Sequence, residues 1–368
     1  MSKILFLPFL QIPSGHHHVA DCIKIQLEQM PDGILCEKID ILSYSYGKIE
    51  GYISSFYLQW IHKLPQLYST IYRAAAVEGI SYTKRFYVYE LLFLTFLKKL
   101  LNEKNPDIVI CTHSLPSYLL SRLKKSNAWS GSIINIYTDY FINNLWGIEG
   151  VDYHFVPSRK VKDQLVKHGV KDHQIFITGI PIHPLFKVRN QKGKEETIFS
   201  ALLCGGNMGA GSIVQLLDRL HPAGMIHYKV LCGKNKELFQ YIEKLDNPLI
   251  HPLPYISSKE EMNHLYEETN VIITKPGGVT ISECLEKELP IFVYDVLPGQ
   301  EEQNLLFLKS RGLVHHLDGW KTLGNIEEEI VKVLSRKKQE ILNAITNYRT
   351  EIELEDPVPF IVEMFKRV

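Results

Sequence analysis

The fold of this 368-residue chain is decided by two apolar stretches, Ile4-Leu-Phe-Leu-Pro-Phe-Leu10 and Ile198-Phe-Ser-Ala-Leu-Leu-Cys204. The first is followed by the small-residue turn Pro13-Ser14-Gly15 and by a helical pattern that begins at Val19. The second is followed by a glycine-rich loop at 205–211 and by another helical pattern. A strand, a tight loop and a helix form the first half of a βαβ unit. Because this opening occurs twice, the sequence predicts two doubly wound α/β domains in series.

Each half of the chain holds further short apolar runs that are typical of buried parallel strands. The predicted strands are 107–111, 133–137 and 152–156 in the first half and 228–232, 271–274 and 290–294 in the second. The charged stretch 183–196, which contains proline and glycine, predicts a linker. We therefore expect an N-terminal domain at 1–186, a C-terminal domain at 187–356 and a final helix at 357–368 that packs back on the N-terminal domain.

Composition and charge exclude several classes of protein. The chain carries 41 basic and 41 acidic residues, and a net charge of zero argues against a general nucleic-acid binder. Its six cysteines form no Cys-x-x-Cys pair and no zinc-like spacing, which is typical of small buried side chains in a reducing compartment. No apolar run approaches the ~18 residues of a membrane span. We expect a cytoplasmic protein that binds no nucleic acid and does not span a membrane.

The clearest local motif is Val271-Ile-Ile-Thr-Lys-Pro-Gly-Gly-Val-Thr-Ile-Ser-Glu283. An apolar strand ends at Gly277 and Gly278, and a helix is predicted to begin at Thr280. Glycines let backbone amides approach a ligand, and a helix N-terminus carries about half a positive charge, so the motif favours a phosphate or diphosphate. The spacing Thr280-x-x-Glu283 is also that of a capping box, in which Glu283 only satisfies a helix N-cap amide. The local sequence leaves both interpretations open.

A second motif follows one strand later, at Pro298-Gly-Gln-Glu-Glu-Gln-Asn304. Gln300, Glu301 and Asn304 present hydrogen-bond donors and acceptors together, which is the chemistry needed to bind several hydroxyls of a sugar. An ordinary solvated helix N-terminus has the same composition, so this motif alone does not decide between the two.

The glycine-rich loop at 205–211 excludes two common nucleotide-binding classes. Its spacing is G-G-x-x-G-x-G, whereas dinucleotide-binding domains carry G-x-G-x-x-G, and the next predicted strand does not end in an acidic residue. A nicotinamide dehydrogenase is therefore disfavoured. The chain also lacks a P-loop motif, which excludes a P-loop kinase. The Asp-x-Asp triplet that commonly holds a metal on a nucleotide diphosphate is missing as well.

Three consecutive histidines, His16 to His18, follow the first predicted strand. Ligands enter doubly wound sheets at this position, and an imidazole has a pKa suited to removing a proton from a hydroxyl group. His16 is therefore a candidate general base. A histidine triplet can also bind a metal or lie in a polar loop, although the absence of an H-E-x-x-H motif weakens the metal interpretation.

Residues 48–104 combine aromatic and basic side chains. Apolar residues recur at helical spacing and include Phe56, Tyr57 and Trp60. Eight basic residues against four acidic ones give this region a local charge of +4 in a neutral chain. Such a pattern favours helices that lie on an anionic membrane surface, with Phe56, Tyr57 and Trp60 facing the lipid. Ordinary core-facing helices produce the same apolar periodicity and remain the alternative.

Taken in order, these motifs resemble those of the processive diacylglycerol glucosyltransferases and monogalactosyldiacylglycerol synthases, a family of nucleotide-sugar glycosyltransferases. The matching segments are Gly15-His16 with Val19-Ala20, Thr112-His113, Thr138-Asp139, 177–184, 232–235, 274–283, and Pro298-Gly-Gln-Glu301 with Asn304. The most specific of them are Thr274-Lys-Pro-Gly-Gly278 and Pro298-Gly-Gln-Glu301 at their mutual spacing. Departures occur at His17 and His18 and in the loop at 205–211.

The resemblance implies the GT-B fold, in which two Rossmann-like domains face a cleft, the first binding the acceptor and the second a UDP-sugar. It also implies roles for individual residues. The catalytic residues it implies are His16, as general base, and Asp139, which either orients that base or contacts the acceptor. It further implies that Glu283 binds the ribose and that Gly277, Gly278 and Thr280 bind the diphosphate. Gln300, Glu301 and Asn304 are implied to bind the hexose. The remaining expected substrate-binding residues are Gly15, Gly206, Lys275 and Gly299.

The sequence hypothesis is an inverting hexosyltransferase that moves a hexose from a UDP-sugar to a membrane lipid, with diacylglycerol as the first choice. It uses no cofactor and no metal, because helix-terminal amides can stabilise the leaving UDP. The enzyme is expected to bind peripherally to the inner face of the cell membrane. Three alternatives stay open: a UDP-sugar epimerase, a transferase with a non-lipid acceptor, and a non-catalytic nucleotide-sugar sensor.

Overall fold

The computed structural model describes residues 2–9, 14–31, 33–47, 85–187, 198–205, 212–322 and 324–367. The chain forms two compact units. The first unit comprises residues 1–181 and 350–368, and the second comprises residues 182–349. Each unit is built around one parallel six-stranded sheet. The architecture is therefore α/β, with two doubly wound sheets.

In the first unit the strand order is β2-β1-β3-β4-β5-β6. The strands are β1 (Lys3–Leu7), β2 (Leu35–Lys38), β3 (Ile108–Cys111), β4 (Ser132–Ile136), β5 (Tyr153–Val156) and β6 (Ile175–Ile177). The adjacent strands β1 and β3 are almost completely buried, as expected for a parallel sheet covered on both faces. The order reverses between β1 and β3, so this unit has its topological switch point there.

Helices cover the first sheet and one of them is long. They are α1 (Gly15–Glu28), α2 (Ile41–Tyr46), α3 (Tyr87–Lys104), α4 (Ser114–Lys125), α5 (Arg159–Lys167) and, after the second unit, a terminal helix (Pro357–Arg367). α3 buries Phe93, Leu97, Leu100 and Leu101 in the core of the unit. Within the described residues, no helix is both long enough and apolar enough to cross a membrane.

The second unit repeats the plan with the strand order β12-β11-β10-β7-β8-β9. Its strands are β7 (Phe199–Cys204), β8 (Ile226–Leu231), β9 (Ile250–Leu253), β10 (Val271–Thr274), β11 (Ile291–Val293) and β12 (His315–His316). Pro252, which cannot donate a ladder hydrogen bond, lies in the edge strand β9, where that loss is tolerated. Here the order reverses between β7 and β10, which places the second switch point there.

The described residues of the second unit form six α-helices. They are α6 (Ile213–Asp218), α7 (Lys236–Lys244), α8 (Lys259–Glu267), α9 (Gly278–Glu286), α10 (Gln300–Ser310) and α11 (Ile326–Arg349), so the terminal helix is α12. The first turn of α11 supplies Glu327, a fully buried carboxylate that accepts hydrogen bonds from Ala223 N, Met225 N and the Tyr228 hydroxyl. These bonds connect α11 to β8 and to the loop that precedes it.

The predicted strands all exist; 271–274 has the predicted ends and the others are shifted, and the described residues contain four further strands that were missed. β1 ends at Leu7, before Pro8, whereas the apolar run continues to Leu10. α1 begins at Gly15 and not at Val19, so His16 lies in the first turn of a helix. The missed strands, β2, β6, β9 and β12, are two to four residues long, too short for a clear alternation of apolar and polar side chains.

The unit boundaries lie at 181/182 and 349/350, whereas the sequence placed them at 186/187 and 356/357. Two local contacts account for the shift. A short 3-10 helix at Pro184–Lys187 packs against α8 and α9 of the second unit. Glu353 belongs to the first unit because its carboxylate accepts a hydrogen bond from Ile177 N and pairs with Lys162 Nζ at 2.9 Å.

Candidate functional site

In the first unit, the candidate residues converge at the carboxyl ends of neighbouring strands. Gly15 and His16 follow β1, Thr112 and His113 follow β3, and Thr138 follows β4. Since β1, β3 and β4 are adjacent and parallel, their carboxyl ends meet at one edge of the sheet, next to the switch point. The topology therefore brings together residues that are up to 122 positions apart in the sequence.

His16 is held by hydrogen bonds at one ring nitrogen. Its Nδ1 lies 2.8 Å from the carbonyl oxygen of Thr112 and 2.8 Å from the hydroxyl oxygen of Thr138. A carbonyl oxygen only accepts, so the bond to Thr112 requires a proton on Nδ1. In the neutral imidazole the lone pair is then on Nε2. This arrangement provides a base whose reactive nitrogen is opposite the anchored one.

The surroundings of His16 favour its neutral form. Burial lowers the pKa of His16 below its ordinary value of 6.5, while the Asp139 carboxylate and the bond to Thr112 act in the opposite direction. The lowered pKa leaves the imidazole unprotonated at neutral pH, as a general base requires. Asp139 is half-buried and carries the charge that stabilises the imidazolium formed once a proton is taken up.

His113 is a neighbour of His16 to which the sequence motifs assign no role. Its ring centroid lies 4.7 Å from that of His16, edge to face, and the Phe9 ring lies 4.9 Å from it. His113 is the N-cap of α4, and its Nδ1 accepts a hydrogen bond from Leu115 N at 3.1 Å. No signal in the sequence shows this contact, because it depends on β1 and β3 being neighbours. The described residues hold no cluster of three or more potential metal-ligating side chains.

In the second unit, the Val271–Glu283 motif forms β10, a tight turn and α9. The helix begins at Gly278 with Gly277 as N-cap, two residues before the predicted start at Thr280. Thr280 is thus a half-buried residue in the first turn. The capping-box interpretation is wrong, since Glu283 instead accepts a hydrogen bond from the Tyr266 hydroxyl at 2.8 Å. The spacing Thr280-x-x-Glu283 fits a capping box only if Thr280 is the N-cap. The helix starts at Gly278, so Glu283 is too far along it to accept from the N-cap amide.

Glu283 is a buried carboxylate in a mixed environment. Burial raises its pKa, while the Lys259 ammonium and the Tyr266 hydrogen bond favour its charged form. The Tyr266 ring is fixed in turn against Phe186, with ring centroids 5.6 Å apart. A carboxylate held in this way can accept two hydroxyl hydrogen bonds, as a ribose would supply.

Gly277 leaves open space in front of α9. A Cβ atom added at Gly277 would meet no atom within 4 Å, and its φ of −75° suits any residue. Neither backbone strain nor packing within the protein therefore requires glycine here. Gly278, the first helical residue, is buried beside it. The open approach to a helix N-terminus suits an anionic group.

Several other candidates are engaged with the protein itself. Lys275 forms a buried ion pair with Asp295 at 3.2 Å, so its charge is already balanced. Asn304 donates to the carbonyl oxygen of Pro276 at 3.1 Å, and Glu301 accepts from Leu297 N at 2.6 Å. Asn304 thus stabilises the turn before α9, whereas Glu301 stabilises the loop between β11 and α10.

Gln300 and Gly299 start α10. Gln300 is its half-buried first residue. Gly299 has a φ of +90°, which favours glycine, and its N–H donates to Glu302. Four further candidates, Gly206, Phe56, Tyr57 and Trp60, lie outside the described residues.

The first half of α3 exposes large apolar side chains. Leu91 is 85% exposed, Val88 67% and Tyr87 64%, whereas the opposite face of the helix packs into the core. Exposed Lys98 and Lys99 follow two turns later. This combination defines the α3 surface, formed by Tyr87, Val88, Leu91, Lys98 and Lys99. An amphipathic helix with apolar and basic exposed residues is typical of binding to a membrane interface.

Comparisons with known proteins identify relatives of this chain. Residues 16–182 match the monogalactosyldiacylglycerol (MGDG) synthase family. The chain is 46% identical over 340 residues to the uncharacterized glycosyltransferase YkoN of Bacillus subtilis (strain 168), covering 92% of this chain and 90% of that one. It is 30% identical over 310 residues to the processive diacylglycerol β-glucosyltransferase of Bacillus cytotoxicus, covering 81% and 78%.

Among solved structures, the fold is similar to that of MurG from Acinetobacter baumannii. The TM-score is 0.62 and the match covers 100% of both chains at 12% sequence identity. At that identity the likeness concerns the fold, which is GT-B.

Replacing Gly277 by alanine separates ligand binding from folding. The methyl group meets no protein atom within 4 Å, so the free energy of unfolding should change by less than about 1 kcal/mol. It occupies the open space at the α9 N-terminus, so the affinity for UDP, used as a diphosphate probe, should fall at least roughly ten-fold. Titration calorimetry and thermal unfolding measure the two effects. Gly324→Ala, which also meets no atom within 4 Å, is the matched control. Unchanged UDP affinity in Gly277→Ala would contradict the assignment.

Proposed function

This chain belongs to the glycosyltransferase family that includes the processive diacylglycerol β-glucosyltransferases, and we propose that it transfers a hexose from a UDP-sugar to the hydroxyl group of diacylglycerol. The observation that carries the proposal is the Nδ1 hydrogen bond of His16 to the Thr112 carbonyl oxygen, which leaves the Nε2 lone pair for an acceptor hydroxyl. The sequence relatives, which match four-fifths of this chain or more, are named as transferases. Their names favour a transferase over an epimerase or a non-catalytic sensor.

The proposed reaction is a single displacement. The acceptor hydroxyl gives its proton to His16 Nε2 while its oxygen forms a bond to C1 of the hexose. The bond between C1 and the diphosphate oxygen breaks, and UDP leaves with the electron pair. Attack from the face opposite UDP inverts the configuration at C1. Asp139 stabilises the imidazolium cation that His16 becomes.

The donor-binding half of the proposal rests on α9. Gly277 and Gly278 would present backbone amides and the positive end of the helix to the diphosphate, with Thr280 beside them. Glu283 would accept hydrogen bonds from the ribose hydroxyls, and Gln300 would contact the hexose. Because the helix terminus stabilises the negative charge that develops on UDP, the proposal invokes neither a metal nor another cofactor.

The membrane part of the proposal rests on the α3 surface. Leu91 and Val88 are too exposed to contribute to the core, and inserting them into a lipid interface would remove their apolar area from water. Lys98 and Lys99 would contact anionic headgroups. The protein would then bind peripherally to the inner face of the cell membrane, where diacylglycerol is its acceptor.

Substitution of His16 tests the base directly. In His16→Ala, UDP release from a UDP-hexose in the presence of diacylglycerol vesicles should fall at least roughly 100-fold, because general base catalysis contributes about that much or more. The affinity for UDP, which is bound through the other unit, should be unchanged. His173→Ala removes an exposed histidine of the same unit and serves as the control. Undiminished turnover in His16→Ala would show that His16 is not the base. UDP release by the wild type that requires a soluble acceptor would show that the acceptor is not a lipid.

The Asp139 carboxylate should leave a signature in the pH profile. The acid limb of kcat/KM in the wild type should titrate below pH 6.5, because burial lowers the pKa of His16. Asp139 raises the pKa of His16. Asp139→Asn should therefore move the acid limb to lower pH and reduce the plateau rate. Asp163→Asn, at an exposed position on α5, is the control. An acid limb that stays fixed or moves to higher pH would contradict the proposed role.

The α3 surface can be tested by binding to vesicles. The double substitution Val88→Ser with Leu91→Ser removes two exposed apolar side chains without opening the core. Co-sedimentation with anionic vesicles should weaken at least roughly ten-fold, given about 1.5–3 kcal/mol for each fully buried side chain. Binding by the wild type should also decrease at high salt. Leu306→Ser, at a 62% exposed position of α10, is the control. Equal sedimentation of all three proteins would contradict membrane docking through α3.

A further inference from the structure

His16 and His113 are held in opposite tautomers by backbone groups of the same segment, Thr112 to Leu115. The Thr112 carbonyl oxygen accepts from His16 Nδ1, which requires a proton on that nitrogen. Two residues beyond His113, the Leu115 N–H donates to His113 Nδ1, which requires a lone pair there. In their neutral forms, His16 therefore carries its lone pair on Nε2, and His113 carries its proton on Nε2.

Among the described residues, neither Nε2 atom has a hydrogen-bond partner, which leaves both for a ligand. In the part of the chain that the structure describes, the hydrogen bonds of both rings are made through Nδ1. The rings lie edge to face with centroids 4.7 Å apart, and the Phe9 ring on His113 helps to fix its orientation. The two neighbouring rings thus carry one hydrogen-bond acceptor and one donor on their Nε2 atoms.

We propose that His113 is a second acceptor-binding residue, an inference that rests on the proposed function. Its Nε2–H donates a hydrogen bond to an oxygen atom bonded to the carbon next to the one that carries the reacting hydroxyl group. The hydroxyl proton goes to His16 Nε2, so the pair fits an acceptor with two oxygens on adjacent carbons. Diacylglycerol has this feature, because an ester oxygen is bonded to the carbon beside its free hydroxymethyl group. A simple long-chain alcohol lacks it.

The electrostatics of the pair agree with these roles. Burial lowers the pKa of His113 well below 6.5, and the charges of His16 and His17 lower it further. His113 therefore stays neutral when His16 takes up a proton, so it keeps its Nε2–H as a donor. A neutral neighbour also avoids the repulsion that a second cation would exert on the imidazolium of His16.

The tautomers can be measured without any turnover. Long-range proton–nitrogen correlation spectra of the 15N-histidine-labelled protein distinguish a protonated ring nitrogen from an unprotonated one. At neutral pH, His16 should show a protonated Nδ1, and His113 should show a protonated Nε2. His16→Gln and His113→Asn assign the signals. The same tautomer in both rings would overturn the inference.

Acceptor selectivity tests the role of His113 in the reaction. Asparagine can cap α4 as histidine does but lacks a donor at the Nε2 position, so His113→Asn should keep its thermal midpoint and its UDP affinity. Its kcat/KM should fall at least ten-fold with diacylglycerol and less than two-fold with a long-chain alcohol of matched chain length. His173→Asn is the control, and His113→Ser repeats the test with another capping residue if His113→Asn does not fold.

The outcomes separate this inference from the proposed function. Loss of selectivity in His113→Asn supports the inference, because a merely structural change would reduce the rates with both acceptors alike. If the wild type transfers to diacylglycerol and the variant keeps its selectivity, or loses both activities equally, the inference is overturned and the proposed function stands. A wild type that transfers to neither acceptor overturns both.

Discussion

The hydrogen bond between His16 Nδ1 and the Thr112 carbonyl oxygen is the contact on which the candidate site depends. It joins the first turn of α1 to the carboxyl end of β3, across the point where the strand order of the first sheet reverses. The same bond fixes the tautomer of the imidazole and so decides which nitrogen can remove a proton. The Thr138 hydroxyl, Asp139 and His113 are then arranged around a ring whose orientation is already set. The Thr112 carbonyl oxygen therefore links the strand order of the sheet to the tautomer of the proposed base.

The second unit uses its own switch point differently. Its candidate site is built from a helix N-terminus that packing leaves open at Gly277 and from a buried carboxylate, Glu283, that Tyr266 holds in place. Lys275 and Asn304 are occupied by Asp295 and Pro276, so they stabilise the turn before α9. Anion binding would then depend on backbone amides more than on a lysine charge.

The sequence was sufficient to predict the repeated βα openings, the buried parallel strands and the glycine turn, because each of these is encoded within a few neighbouring residues. It could not rank the two interpretations of Thr280-x-x-Glu283, since the choice depends on a helix start at Gly278 and on Tyr266, 17 positions away. It also missed the contact between His16 and His113, which exists only because β1 and β3 are adjacent. Local patterns predict elements, whereas the site arises from contacts between them.

The most direct test of this account is the anomeric configuration of the glycolipid formed from UDP-glucose, in which the sugar is α-linked. A single displacement by a hydroxyl oxygen that His16 deprotonates requires inversion at C1. The proton coupling at C1 of the isolated product, measured by NMR, distinguishes the two anomers. A β-linked glucoside on diacylglycerol is the expected product. An α-linked product would contradict it, because retention of configuration cannot result from one displacement.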